Sequence, residues 1–310
     1  MNAAAAPQGP ASKNTGKPLP HTIPEYLAQL REALRGSDPA LIQDALYDAE
    51  EYLRSELAER KGEPEASVIE SVAASYGAPE EVADIYRNTE VKVTRALRTP
   101  PPPPRESALG KFFGVVADPR TYASMFYMLL SLATGIFYFT WTVTGVSLSL
   151  GLAVLIIGLP FMILFFGSVR VLSVVEGRIV EVMLGERMPR RPLYTERDLP
   201  LMERIVGMFT DPRSWSTMLY MLMMLPLGIV YFTVSVAALS VSLSLIFGSI
   251  ASLFGQFDIQ FGDYEGPAPI WLVPIMTALG TVILFVYMHL ARGIGRMHGL
   301  LAKHLLVSPA

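Results

Sequence analysis

Apolar residues follow two patterns along this chain, and the change falls near residue 106. In the first part they return every three or four positions, the period of a helix with one buried face. Ile23, Leu27, Leu30 and Leu34 mark such a helix. Thr22 and Glu25 open it as a capping box, Pro24 lies in its first turn, and Gly36 ends it. Asp38 caps a second helix with Pro39 at its first position, and Leu41, Ile42, Ala45, Leu46, Tyr52, Leu53 and Leu57 give it one apolar face. Ser67 and Glu70 read as another capping box, followed by Val68, Ile69, Val72, Ala73 and Tyr76 up to Gly77. Pro79 opens a fourth helix with Val82, Ile85 and Tyr86 inward. The pattern predicts a compact bundle of helices over 21–98.

In the second part the apolar residues become continuous. From Thr121 to Val169 there are 49 residues without Asp, Glu, Lys or Arg, and from Ser214 to Phe257 there are 44 more. From Gly266 to Leu290 the only titratable side chain besides tyrosine is His289. A bilayer span takes about 20 apolar residues. Four spans are therefore expected, near 121–143, 149–172, 214–236 and 268–290. Eight arginines lie between Arg170 and Arg213, and Arg292, Arg296 and Lys303 lie in the tail. The loops at 143–150 and 256–267 have no Lys or Arg. By the positive-inside rule both termini are expected in the cytoplasm. Residues 238–257 are apolar enough to span, but a fifth span would put the tail cations outside. A re-entrant or interfacial excursion is expected there. Hydroxyl and apolar residues alternate at 140–150 and 233–245. The alternation fits either hydroxyls bonding within a helix or short extended segments near the outer face.

The membrane half is written twice. Between 118–140 and 211–233, aligned 93 residues apart, 13 of 23 positions are identical, among them Tyr127/Tyr220, Gly135/Gly228 and the closing Tyr-Phe-Thr. Each copy starts with Asp-Pro-Arg after a short amphipathic stretch, 108–117 and 202–210, suited to the membrane interface. Asp118 and Asp211 are expected as helix caps, Pro119 and Pro212 at the first position, and Arg120 and Arg213 on inner headgroups. Tyr122 and Trp215 would sit in the aromatic belt. With both starts inside, the two copies are expected to be parallel repeats, 106–192 and 193–310, in contact with membrane lipids.

Composition narrows the function. The chain is 51% hydrophobic and has no cysteine, which excludes disulfides and thiolate chemistry. Residues 1–20 lack an apolar core and read as a disordered tail rather than a signal peptide. Residues 22–98 hold 16 acidic and 9 basic side chains. That acidic balance argues against direct nucleic-acid binding. It suits a protein partner or self-association, with Glu50, Glu51, Glu80, Glu81 and Asp84 as the candidate surface. Five prolines at 100–104, within a linker over 99–105, make a semi-rigid spacer of about 15 Å. No catalytic, cofactor or metal constellation is expected. Of His21, His289, His298 and His304, the last two read as polar residues at the inner interface. The spans as drawn bury no carboxylate, which argues against a transporter of polar substrates.

TIPEYLAQLREAL, DALYDAEEYLRSEL and SVAASYGAPEEVADIYR resemble the bacterial HAAS-type domain, related to the DUF1700 group, over about 22–90. The resemblance implies an all-α signalling module linked with PadR-like regulators, without catalytic residues. DPRTYASMFYMLLSLATGIFYFTWTVTGVSLSLGLAVLIIGLP and GSVRVLSVVEGRIVEVMLGERMPRRP resemble the bacterial "putative sensor" domain, as two copies over about 108–305. Together they imply a non-enzymatic inner-membrane sensor that relays a lipophilic or membrane-state signal to a cytoplasmic partner. A structural scaffold or a lipid-handling permease is the alternative.

Overall fold

The structure is a computed structural model that describes residues 20–97, 107–153, 155, 158–190, 206–207, 209–256, 258–261 and 264–307. The tail before residue 20, the proline linker and the stretch 191–205 lie outside the described residues. The chain divides into two compact units. The first comprises residues up to Ser37 with Ala45–Lys92, and the second Asp38–Asp44 with Val93 onward.

The first unit takes α1 (Ile23–Ala33), α3 (Glu65–Ser75) and most of α2 (Pro39–Glu59) and α4 (Pro79–Leu97). Thr22 Oγ1 caps Glu25 N at 3.3 Å, and Asp38 Oδ1 caps Ala40 N at 2.9 Å. Ser67 is not a cap. α3 starts two residues earlier, and Ser67 Oγ donates to Pro64 O. Glu65, the first residue of α3, instead serves the start of α1, where its Oε1 accepts from Ile23 N at 3.0 Å. Tyr26, Leu30, Leu34, Ala45, Ala49, Leu53, Val68, Ile69, Val72, Val82 and Ala83 are buried. Ile85, expected inside, is 58% exposed. α4 turns Val82, Ala83 and Tyr86 inward, and Tyr86 donates to Asp48 at 2.9 Å. Burial and that bond hold the Tyr86 phenol above its ordinary value. At Gly77 φ is +120°, a conformation that favours glycine, and its carbonyl accepts from the buried Tyr26 hydroxyl at 2.8 Å.

The second unit starts with α5 (Ala108–Phe113) and a 3₁₀ turn, Gly114–Ala117. Four long elements follow: α6 (Pro119–Leu152), α7 (Gly158–Leu184), α8 (Pro212–Leu243) and α10 (Leu272–Leu306). A π turn, Ser244–Gly248, carries α8 straight into α9 (Ser249–Ser252). Strands β1 (Ile259–Phe261) and β2 (Tyr264–Gly266) then pair antiparallel.

Among the described residues three helices, not four, are long and apolar enough to cross a membrane: Pro119–Leu152, Pro212–Ser252 and Leu272–Leu306. The expected span at 149–172 is divided between the end of α6 and the start of α7. α7 carries Arg170, Glu176, Arg178 and Glu181 along its length. Residues 238–252 are no excursion but continue α8 as a 41-residue rod. The alternating stretches at 140–150 and 233–245 are helical too. Their hydroxyls bond one turn back, as Ser235 to Tyr231 O at 2.7 Å and Ser242 to Leu239 O at 3.1 Å. Among the described residues the extended segments lie instead at 259–261 and 264–266.

The direction of the two halves also differs from the expected one. α6 and α8 cross where Gly135 meets Met224 and Gly228 meets Ser131. Further along, Thr142 Oγ1 lies 3.6 Å from Met221 Sδ. Residue numbers fall on one helix as they rise on the other, so the two run antiparallel. α10 follows the direction of α6, since Arg292 pairs with Asp118 and His298 meets Tyr127 nine residues further on. The halves are thus inverted rather than parallel. The start of α6 and the end of α10 stand at opposite ends of the bundle, whereas Asp38, ahead of α2, reaches Lys303 near the end of α10 at 2.6 Å. The physical reason is the glycine crossing. A β-carbon on Gly135 would stand 2.5 Å from Met224 O, so backbones can approach this closely only through glycine.

Candidate functional site

The seam between the halves holds a closed set of polar side chains. Glu176 on α7 and His298 on α10 each expose 1% of their surface. Tyr127 on α6 and Tyr220 on α8 each touch both of them. Their hydroxyls lie 2.8 Å from Glu176 Oε1, and 2.7 and 3.0 Å from His298 Nε2. Tyr138 donates to Glu176 Oε2 at 2.9 Å, and the Tyr231 hydroxyl lies 3.3 Å from His298 Nδ1. Six side chains from four helices therefore share six polar contacts.

Local sequence places them. Tyr127 and Tyr138 are eleven residues apart, three helical turns, so both face the same side of α6. Tyr220 and Tyr231 repeat that spacing on α8. Glu176 lies six residues after Arg170, and His298 six after Arg292. Those two arginines make matching ion pairs across the halves, Arg170 with Asp211 at 3.5 Å and Arg292 with Asp118 at 3.3 Å. Each tyrosine pair is thus shared in the same way: one member of the 138/231 pair bonds Glu176, the other His298, and the 127/220 pair bonds both.

A buried carboxylate needs its lone pairs met, because an unmatched one forfeits its hydration without return. Glu176 has three phenols against its two oxygens. Two phenols reach one oxygen, and the third reaches the other. With Glu176 ionised and His298 neutral, one assignment satisfies every contact. Tyr127, Tyr220 and Tyr138 donate to Glu176. His298 Nε2–H is shared between the oxygens of Tyr127 and Tyr220, and Tyr231 donates to Nδ1. The ring can therefore pass hydrogen bonds between an acid and a base that do not touch directly.

The membrane-start residues stand elsewhere. Asp118 and Asp211 occupy N-cap positions, each accepting from the backbone N two residues on at 3.1 Å. Pro119 and Pro212 are at the first helical position. Arg120 is exposed and Arg213 half-buried. Tyr122 and Trp215 are exposed, and Trp215 Nε1 donates to Phe209 O at 2.8 Å. The structure puts these two sets at opposite ends of the bundle. In the first unit Glu51, Glu81 and Asp84 are exposed. Glu50 is half-buried against Arg54 at 2.9 Å, and Glu80 has one buried carboxylate oxygen. Among the described residues no three His, Asp or Glu side chains converge as a metal site.

His298 is therefore not a polar interface residue, and a carboxylate does lie buried in the bundle. The sequence signal was the doubled Tyr spacing, two tyrosines three turns apart in both copies. His289 is also structural. Its ring stacks on Phe112 of α5 at 5.4 Å, and its Nε2 lies 3.0 Å from Phe112 O. Phe285 adds stacking with Phe112 at 5.5 Å and an edge contact with Phe113 at 4.9 Å. α10 thus carries the ring member His298 and, nine residues earlier, the seat of α5.

Two family models match the chain. One described as "Putative sensor" matches residues 127–306, and one described as "HAAS" matches residues 25–84. No curated protein and no solved structure matches.

Proposed function

The chain belongs to the "Putative sensor" family, and from that membership we propose that it is a non-enzymatic bacterial sensor of the inner membrane. Its membrane unit reads a membrane-state signal, and its HAAS-type head passes the state to a cytoplasmic protein, of which a PadR-like regulator is one kind. The membrane unit arises from a duplicated segment whose copies pair in inverted orientation. The reciprocal pairs Arg170–Asp211 and Arg292–Asp118 support that origin, as do the reciprocal glycine contacts.

One observation carries the reading: the buried ring joins α6, α7, α8 and α10 at the seam between the halves. Ionisable groups buried at such depth are expensive and are kept for function. A change in the ring alters contacts on all four helices at once, which is what a two-state element requires. α10 extends from the ring to Phe112, and α5 is the described helix that follows the head and its linker. A shift of α10 therefore reaches the chain segment that leads to the head. The tight seating of glycine on backbone at the crossing favours a membrane-state input over a lipid held between the halves, and the scaffold alternative leaves the ring without a role.

The partner is tested in the full chain. Cross-linking in intact cells is expected to recover one cytoplasmic protein in near-equal amount. Reversing the exposed acids Glu51, Glu81 and Asp84 to lysine should cut its recovery at least tenfold while the protein stays in the membrane. Unchanged recovery would remove the acidic head as the docking surface.

A further inference from the structure

We propose that the ring is a binding site for a single proton, taken up at Nδ1 of His298 and read out by Tyr231. This deepens the sensor reading by naming the ligand of the same site. It stands on the connectivity of the six contacts.

The ring has two fully bonded states that differ by one proton. In the first, Glu176 is ionised and His298 neutral. Four phenol hydrogens and the Nε2 hydrogen then serve all six contacts, and the ring carries one negative charge. In the second, a proton from water forms a bond to Nδ1. Glu176 keeps its three phenol donors, and Nε2–H stays shared between Tyr127 and Tyr220. Only the outermost contact changes: Nδ1–H now donates to the Tyr231 oxygen, and the Tyr231 hydrogen turns away. The ring is then neutral. No other contact reverses, so uptake is confined to the His298–Tyr231 pair.

Three features support this state pair. The Tyr231 contact, at 3.3 Å, is the longest in the ring. Tyr231 is the one half-buried phenol of the four, while Tyr127, Tyr138 and Tyr220 are buried. It can therefore give up that bond and find another at the edge of the bundle. Tyr138, at the matching place on α6, donates to a carboxylate, which has no hydrogen to return. The duplicated seam thus has one titrating end and one fixed end.

Among the described residues no Lys or Arg takes part in the ring. Facing His298 are Tyr127 from α6, Glu176 from α7, and Tyr220 and Tyr231 from α8. Glu186, after α7, passes beside the neighbouring Gly299. On α10 itself the other ionisable groups are Tyr287, His289, Arg292, Arg296, Lys303 and His304. Arg292 is held by Asp118. Among the described residues Glu176 is the only anion bonded into the network that contains His298, so it is the counter-charge that the second state needs.

The test is nitrogen NMR on the full chain with labelled histidine in lipid nanodiscs, assigning His298 by its contacts to the Tyr231 ring. The pH is carried from about 8 down to about 4, through and below the range in which histidine in water changes charge. Across that range Nδ1 of His298 is expected to pass from acceptor to protonated, while Glu176→Gln holds it as acceptor throughout. Tyr231→Phe, which keeps the ring's shape, should abolish the pH-linked change at the Tyr231 position and leave Tyr138 unaltered. If His298 keeps one state across the range in the wild type, the proposal fails. It fails equally if Glu176→Gln titrates as the wild type does. Either failure leaves the partner experiment, and with it the sensor reading, intact.

Discussion

Glu176→Ala is expected to destabilise the membrane unit by about 4 kcal/mol. The substitution leaves Tyr127, Tyr138 and Tyr220 without their acceptor in a dry seam, and each orphaned donor costs about 1–3 kcal/mol. Glu176→Gln keeps one acceptor oxygen and should cost about half as much. The control is Glu181 on the same helix. It is half-buried and paired with Arg178 and with Arg190. Glu181→Ala should cost under about 1 kcal/mol, as partly exposed ion pairs do. Denaturant unfolding of the purified chain in mild detergent reads all three. Equal losses at 176 and 181 would mean that the ring contributes nothing special to the packing.

The second large effect belongs to the crossing of α6 and α8. Gly228→Val forces a branched side chain against the backbone of Ser131, and Gly135→Val does the same at Met224. Neither neighbour can swing aside, because both are main chain. Overpacking of this kind typically costs about 1–3 kcal/mol, and the upper end is expected here. Since the crossing holds Tyr127 and Tyr220 within reach of the same two acceptors, the helices should part and the ring should open. Gly293→Ala, where a β-carbon meets nothing within 4 Å, should be silent. A cross-link between cysteines placed on α6 and α8 would report the separation directly.

Much of the head was legible in the sequence, because helical period, proline and glycine act locally. Thr22, Asp38, Gly77 and Pro79 do what their positions predict. Ile85 failed because a single apolar residue on a mixed face does not fix rotation, and Val82 and Ala83 decide it. Ser67 failed because Pro64 sets the start of α3 first. In the membrane half the Asp-Pro-Arg starts were legible for the same local reason. Direction was not. Counting Lys and Arg compares loops with the aqueous phases, whereas the orientation of two near-identical helices depends on how Gly135 and Gly228 seat against each other. The ring was hidden by its position. Glu176 lies just past an uncharged block, among Arg170, Arg178 and Glu181, where a carboxylate reads as part of a loop. His298 appeared among three histidines of a tail. The stretch inserted before α10 obscured that Arg170–Glu176 and Arg292–His298 are the same six-residue spacing.

The central claim is that the ring and the route to the head move together through α10. Hydrogen exchange on the full chain in lipid, comparing wild type with Glu176→Gln, tests it most directly. The account predicts faster exchange not only at the ring but also in α5 and the turn 114–117, through the seat on His289 and Phe285. Exchange altered only in the turns of α6, α7, α8 and α10 that hold the ring, with α5 unchanged, would contradict it.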